Sequence, residues 1–194
     1  MNLSGIKLGF ALTGSHCTID EVLPYMEQLK NDGADIIPIF SPAVANTDSR
    51  FGKAKDLLEK IISITGKEPL TNLVQVEPIG PQKQLDIILV APCTGNTLAK
   101  LALGITDTSV VLACKAQLRN NRPVVIAVST NDGLSANARN IGTLLNRRNF
   151  YFVPFGQDAP NNKQSSLVAK MGLIPETISA AMDGRQLQPV IVSY

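Results

Sequence analysis

No stretch of this chain approaches the ~20 apolar residues that a membrane-spanning helix needs. It has one histidine, His16, and three cysteines, Cys17, Cys93 and Cys114, none of them at metal-ligand spacing. A lone His cannot complete a zinc set, so no metal site is indicated. The odd, unspaced cysteines fit a reducing cytosol better than a disulfide scaffold. Charge of one sign is also missing: 18 Lys and Arg face 16 Asp and Glu, a net +2 with no basic block, which excludes nucleic-acid binding by electrostatics alone. The opening MNLSGIKLGFALTGS lacks a charged region followed by a long apolar run. It reads as a first core strand, not a signal peptide. Internal repeats and linkers are absent, which points to one domain over residues 1–194. At 44 % apolar residues the chain buries a real core. Two phosphate motifs are also missing. GxxxxGK[ST] fails because His16 and Cys17 stand in place of Lys and Ser/Thr, and GxGxxG fails because only Gly9 and Gly14 are present. A nucleoside triphosphate or a wholly bound dinucleotide is therefore disfavoured.

What is there alternates between strand and helix patterns. Strands are expected at Ile6 to Leu12, Ala34 to Phe40, Leu73 to Val76, Leu85 to Ala91, Pro123 to Val128 and Tyr151 to Phe155. Ile19, Val22, Leu23, Met26 and Leu29 give a helix over Thr18 to Asp32, with Thr18 and Glu21 as a capping box and Gly33 as the stop. Phe51, Ala54, Leu57, Leu58, Ile61 and Ile62 form a second stripe closed by Gly66. Lys55 with Glu59 and Asp56 with Lys60 read as its solvated face. Thr97 to Leu103, Thr108 to Leu118 and Asn137 to Arg148 follow as helices, and Ser165 to Met182 as a helix interrupted by Pro175. Ser41 to Arg50 and Gly156 to Ser165 read as mobile loops. The repeated order argues for a three-layer α/β sandwich on a mostly parallel sheet, Rossmann- or flavodoxin-like.

In such a sheet, ligands dock where strand ends meet helix starts. Four polar loops fall there. Gly9 to Thr18 offers glycines for close approach and hydroxyls at a helix start, or is an ordinary turn. Ser41-Pro42-Ala43 offers a hydroxyl, or is a Ser-Pro turn. Pro92 to Thr97 offers small hydroxyls, an amide and a thiol, although Thr97 can simply cap the next helix and Cys93 can be a small buried hydrophobe. Val128 to Leu134 is polar and carries a glycine. His16 reads equally as a general base or a structural donor, and Cys114 reads as core.

Thr13-Gly14-Ser15, Ser41-Pro42-Ala43 and the run APCTGNTLAKLALGITD from Ala91 to Asp107 resemble the flavoprotein family of homo-oligomeric flavin-containing Cys decarboxylases and flavin prenyltransferases. The third block is similar to that family's Pro-Ala-Ser-Ala-Asn-Thr segment. The resemblance implies FMN, with Thr13, Gly14 and Ser15 at its phosphate and Ser41 assisting. Pro92, Cys93, Thr94, Asn96 and Thr97 would line the flavin and substrate side. It also implies self-association in trimers. Two positions depart from the pattern. The family's Pro-x-Met-Asn is Val128-Ser129-Thr130-Asn131 here, and no His stands between Ser49 and Gly66. These departures point away from decarboxylation, and the lack of a basic residue after the strand Pro123 to Val128 points away from prenylation. Within the family the resemblance implies an oxidoreductase subunit, whose small-molecule substrate would meet Ser129, Thr130 and Asn131; because this chain lacks GxGxxG, NAD(P) would be carried by a separate partner subunit. A non-catalytic flavin-type subunit and an altered decarboxylase are the other readings. For the chemistry itself, Asn96, Asn131 and His16 are the candidates.

Overall fold

A computed structural model describes residues 2–194. Strand β1 (Lys7–Leu12) leads into α1 (His16–Asn31), and β2 (Asp35–Phe40) into the short α2 (Pro42–Asn46) and α3 (Ala54–Thr65). A turn, α4 (Leu73–Val76), precedes β3 (Ile87–Cys93). Next come α5 (Gly95–Leu103), α6 (Ser109–Arg119), β4 (Val124–Thr130), α7 (Ala138–Leu145) and β5 (Phe150–Phe152). Two short strands, β6 (Phe155–Gly156) and β7 (Leu167–Ala169), and α8 (Ile174–Met182) complete the order.

The parallel strands run β2-β1-β3-β4-β5, so the strand order reverses between β1 and β3. All seven residues of β3 are buried, as the apolar run anticipates for a strand covered on both faces. Helices α1 and α8 pack on each other and on β3, while α6 lies across β2, β3 and β4 beside α5. One buried apolar cluster joins these layers. The sheet is the expected mostly parallel α/β sheet, with an antiparallel corner added. The last residues of β4, Ser129 and Thr130, pair with Val168 and Leu167 of β7, and β7 pairs with β6. The edge strands β2, β5 and β6 each meet other parts of the chain, β5 through the Gln186 side chain, which bonds to the Phe152 N–H and carbonyl at 2.7 Å each. Leu70 bonds to Pro38 and Phe40 beside β2, and Val190 and Val192 bond to Phe155 of β6.

Several local expectations change. Leu73–Val76 is a helical turn, because Asn72 caps it by accepting from the Gln75 amide at 3.0 Å. Tyr151 to Phe155 divides at Pro154 into β5 and β6. Ser165 to Met182 holds a strand before its helix, and Pro175 sits in the first turn of α8, where its missing N–H leaves no bond unmade. Pro175 therefore starts the helix and does not break it. Helix α1 begins at His16, so Ser15 is the residue before it and Thr18 lies buried in its first turn; the Thr18–Glu21 box does not form. Ser41 to Arg50 contains α2. Lys55 does pair with Glu59, at 3.7 Å, but Lys60 reaches Asp20 of α1 at 3.4 Å in place of Asp56. Exposed pairs of this kind stabilise by at most about 1 kcal/mol.

Gly9 is not part of any anion loop. It lies inside β1, where an added Cβ would stand 2.7 Å from Leu85 Cδ1 and 3.0 Å from Ile88 Cγ1. Gly9→Ala is expected to destabilise the protein by about 1–3 kcal/mol through overpacking. A denaturant melt checks this, and the folded fraction should bind ligand as the unsubstituted protein does.

Candidate functional site

The carboxyl ends of β1 to β4 open on one edge, and side-chain hydrogen bonds join their loops. Thr13, buried at the end of β1, donates its hydroxyl to the Pro92 carbonyl at 2.8 Å and accepts from the Thr94 amide at 3.0 Å. One residue thereby fastens the β1 loop to the β3 loop where the strand order reverses, the place that α/β sheets use for ligands. Ser15 Oγ lies 2.8 Å from Ser129 Oγ and 3.1 Å from Thr18 Oγ1, and Thr18 Oγ1 lies 2.8 Å from Ser129 Oγ. These three hydroxyls tie the β1 loop to the end of β4.

Beside them, the Ser41 amide donates to the Leu12 carbonyl at 3.0 Å. Gly14 runs so close to the β2 loop that a Cβ on it would stand 3.1 Å from that of Ala43. Ser41 is only 8 % exposed, and its hydroxyl has no partner among the described residues. The first amides of α1, at His16 and Cys17, have no acceptor within the helix. A buried orphan hydroxyl, a glycine with no room for a side chain and an open helix N-terminus fit a phosphate. The expected set of Gly14, Ser15 and Ser41 is thus brought together.

The Pro92 to Thr97 block divides. Thr94, not Thr97, is the cap of α5: its Oγ1 accepts from the Thr97 amide at 3.3 Å. Cys93 points into the core and is fully buried, so its thiol is no lining group. Burial pushes Cys93 well above the usual thiol range, helped by Cys114 nearby, and burial takes Cys114 up to about 12. Asn96 is exposed on the first turn of α5. Downstream, the Lys100 to Asp107 spacing is a helix stop. Gly104 takes φ 73°, Ile105 N–H bonds to Lys100 O, and Lys100 Nζ holds Asp107 at 2.8 Å. The hydrogen bond from Lys100 is the main cause that lowers the Asp107 carboxyl below its ordinary range.

The β4 loop also differs from the expectation. Ser129 is buried with its hydroxyl engaged by Ser15 and Thr18, and Thr130 donates to Asp132. Of the three residues assigned to the substrate, Asn131 alone is fully exposed. Asp132 and Asn137 are not among the residues expected at the site. Asn137 Nδ2 donates to Asp132 Oδ2 at 2.8 Å and Asn140 Nδ2 to Asn137 Oδ1 at 2.8 Å. The signal that could find them is the density of Asn and Asp between 131 and 140, which by itself reads as a turn. His16 is half-buried and lines a cleft of about 250 Å³ with Asp20, Phe51, Lys53 and Lys60, between α1 and α3. Neither Asn96 nor Asn131 lines that cleft. Among the described residues, no group of His, Cys, Asp and Glu is arranged to hold a metal, and no helix is long and apolar enough to cross a membrane.

A parallel α/β sheet with this polar ledge at its reversal point defines a doubly wound, ligand-binding class of fold, and the comparisons supply its family. The family model described as Flavoprotein matches residues 1–177, and the chain belongs to that family. The chain is 47 % identical over 191 residues to the subunit designated B of dipicolinate synthase from Bacillus subtilis (strain 168), covering 98 % of this chain and 96 % of that protein. The crystal structure of the corresponding dipicolinate synthase subunit from Bacillus halodurans is also 47 % identical, with TM-score 0.92, covering 100 % of this chain and 99 % of that one. An FMN-dependent cysteine decarboxylase, SpaF, shares the fold at TM-score 0.66 and 18 % identity, over 94 % of this chain and 98 % of its own.

Burial separates the thiols sharply. Cys17 is exposed, whereas Cys93 and Cys114 are buried. A thiol-specific reagent should label one cysteine per folded chain, identified by mass spectrometry as Cys17, and all three only after denaturation.

Proposed function

We propose that this chain is the flavin-binding subunit of a dipicolinate synthase. It takes part in oxidising dihydrodipicolinate to dipicolinate during sporulation, together with a nicotinamide-binding partner, the dipicolinate synthase subunit designated A. The observation that carries the substrate is the 47 % identity to a dipicolinate synthase subunit over 98 % of the chain. The cofactor is supported by membership of the Flavoprotein family and by the buried, unpartnered Ser41 hydroxyl beside Gly14 and the start of α1.

Each residue has a chemical part. The His16 and Cys17 amides, with the Ser15 and Ser41 hydroxyls, would hold the FMN phosphate at the positive end of α1. Thr13 fixes the β3 loop against that end. In the proposed reaction the substrate ring gives up two hydrogens, two electrons and two protons in all, as it becomes aromatic, and FMN bound there would supply the two-electron acceptor for them. Asn96 and Asn131 carry amides that neither gain nor lose protons near neutral pH. They orient the substrate and do not act as acid or base. His16, the one titratable candidate, lines the α1–α3 cleft. With the Ser129 and Thr130 hydroxyls engaged inside the chain, the substrate carboxylates draw on Asn131 and on groups of the NAD(P)-binding partner.

Purified protein titrated with FMN should show a flavin absorbance band that stays with it through gel filtration. Ser15→Asp places a carboxylate at the phosphate and should weaken FMN about ten- to a hundredfold, the scale of a charge-assisted hydrogen bond of about 1.5–3 kcal/mol. Equal affinity in the two proteins would remove the phosphate from α1. Reconstitution with the nicotinamide-binding partner, followed by dipicolinate absorbance with and without FMN, tests the reaction. In that assay Asn96→Ala should reduce turnover while the melting temperature stays close to that of the unsubstituted protein. Full turnover without FMN would leave this chain in a non-catalytic role.

A further inference from the structure

Two longer helices, α1 and α5, start on the ledge, and each N-terminus attracts anions. The structure treats them differently. At α1 the neighbours are hydroxyls: Ser15, Thr18 and Ser129. At α5 a carboxylate joins the Thr94 hydroxyl that caps the helix. A Cβ built on Gly95, the first residue of α5, would stand 2.6 Å from Asp132 Oδ1, 2.6 Å from Thr130 Oγ1 and 2.4 Å from Asn137 Nδ2. The Asp132 side chain is therefore pressed against the start of this helix. Its two oxygens are held from opposite sides, Oδ1 by the Thr130 hydroxyl and Oδ2 by Asn137 Nδ2. Its carbonyl accepts the Ser135 amide at 3.1 Å and the Asn137 amide at 3.0 Å. Asn140 braces Asn137 in turn at 2.8 Å.

We infer that Asp132 is a positioning residue: it fills the anion-attracting end of α5 with the protein's own charge and clamps the β4 loop to that end. A negative charge at a helix start is favourable, and a second anion brought to the same place meets like-charge repulsion. A ligand phosphate is thereby confined to α1. The clamp has a second effect. Asn96 follows Gly95 and Asn131 precedes Asp132, so the two exposed amides stand next to the two ends of one contact. Their relative placement is set by the Asp132–Gly95 packing and not by any bond of their own. Gly95 is required because any side chain there would occupy the space of three polar atoms. This inference rests on the flavin reading for its catalytic consequence, whereas its structural half stands without flavin.

The test uses Asp132→Asn, which keeps the shape, removes the charge and turns one of the two acceptors into a donor. In the reconstituted enzyme kcat should fall about tenfold with KM within about twofold, the scale expected when reacting groups are misplaced by less than an ångström. Gly95→Ala should lower kcat in the same way with Asp132 intact. Unchanged kcat in a folded Asp132→Asn protein, or a loss carried wholly by KM, overturns the inference. Hydrogen exchange reads the clamp without cofactor or partner. In the unliganded Asp132→Asn protein, amides at 95–98 and 131–134 should exchange faster together, and exchange confined to 131–134 counts against the clamp. Failure of the unsubstituted protein to bind FMN would overturn the flavin reading and leave the exchange result to decide this one.

Discussion

The Thr13 hydroxyl is the contact on which the ledge depends. It uses both of its hydrogen-bonding capacities at once, toward Pro92 O and from Thr94 N, and it does so between the two strands where the chain reverses its direction of winding. Each of those backbone groups would otherwise be an unmatched polar atom in a largely buried place, at a cost of about 1–3 kcal/mol apiece. The strands bring the loops to one edge. The hydroxyl sets how far apart they stand, and the first turns of α1 and α5 follow from that.

Around this contact the polar side chains fall into two nets of opposite character. The first is neutral, made of the Ser15, Thr18 and Ser129 hydroxyls, and its neighbourhood includes an unsatisfied Ser41. The second is anionic and internally satisfied, with Asp132 at its centre. The Ser41 hydroxyl, which lacks a partner, is ready to receive a ligand, whereas the two nets, each bonded within itself, serve to hold geometry. The division separates binding from positioning across a single row of strand ends. It also explains why a site rich in hydroxyls offers few of them to a substrate.

Much of this is legible in the sequence because it rests on periodicity. The apolar runs that form β1, β3 and β4, the stripe of α3 with its Gly66 stop, and the polar loops at strand ends all follow from side chains that must be buried or solvated. Gly14, Ser15 and Ser41 are singled out by the resemblance, and the fold brings their loops together, whereas Thr13, expected at the phosphate, spends its hydroxyl on Pro92 and Thr94. Legibility fails where a short segment has two physical solutions. Four apolar residues at Leu73–Val76 suit a strand or a helical turn, and only the Asn72 cap decides. Gly9 has the look of a phosphate-loop glycine, but its neighbours are Leu85 and Ile88, which are distant in sequence. Ser129 and Thr130 look like free donors because their acceptors, Ser15 and Asp132, are assigned only by the fold. The resemblance to the flavin-containing decarboxylases points to the right family. Part of its signature, Lys100 to Asp107, ends a helix.

The covering of the sheet's two flanks has a consequence for assembly. Leu70 occupies the outer hydrogen-bonding side of β2, and Val190 and Val192 occupy that of β6. A row of free backbone groups is what lets one chain extend another's sheet, and here short stretches of the same chain already sit in those places. At these two edges, association with further copies or with a different protein is directed to side chains on helices and loops. Its selectivity would be encoded in surface residues that can vary without disturbing the strands beneath.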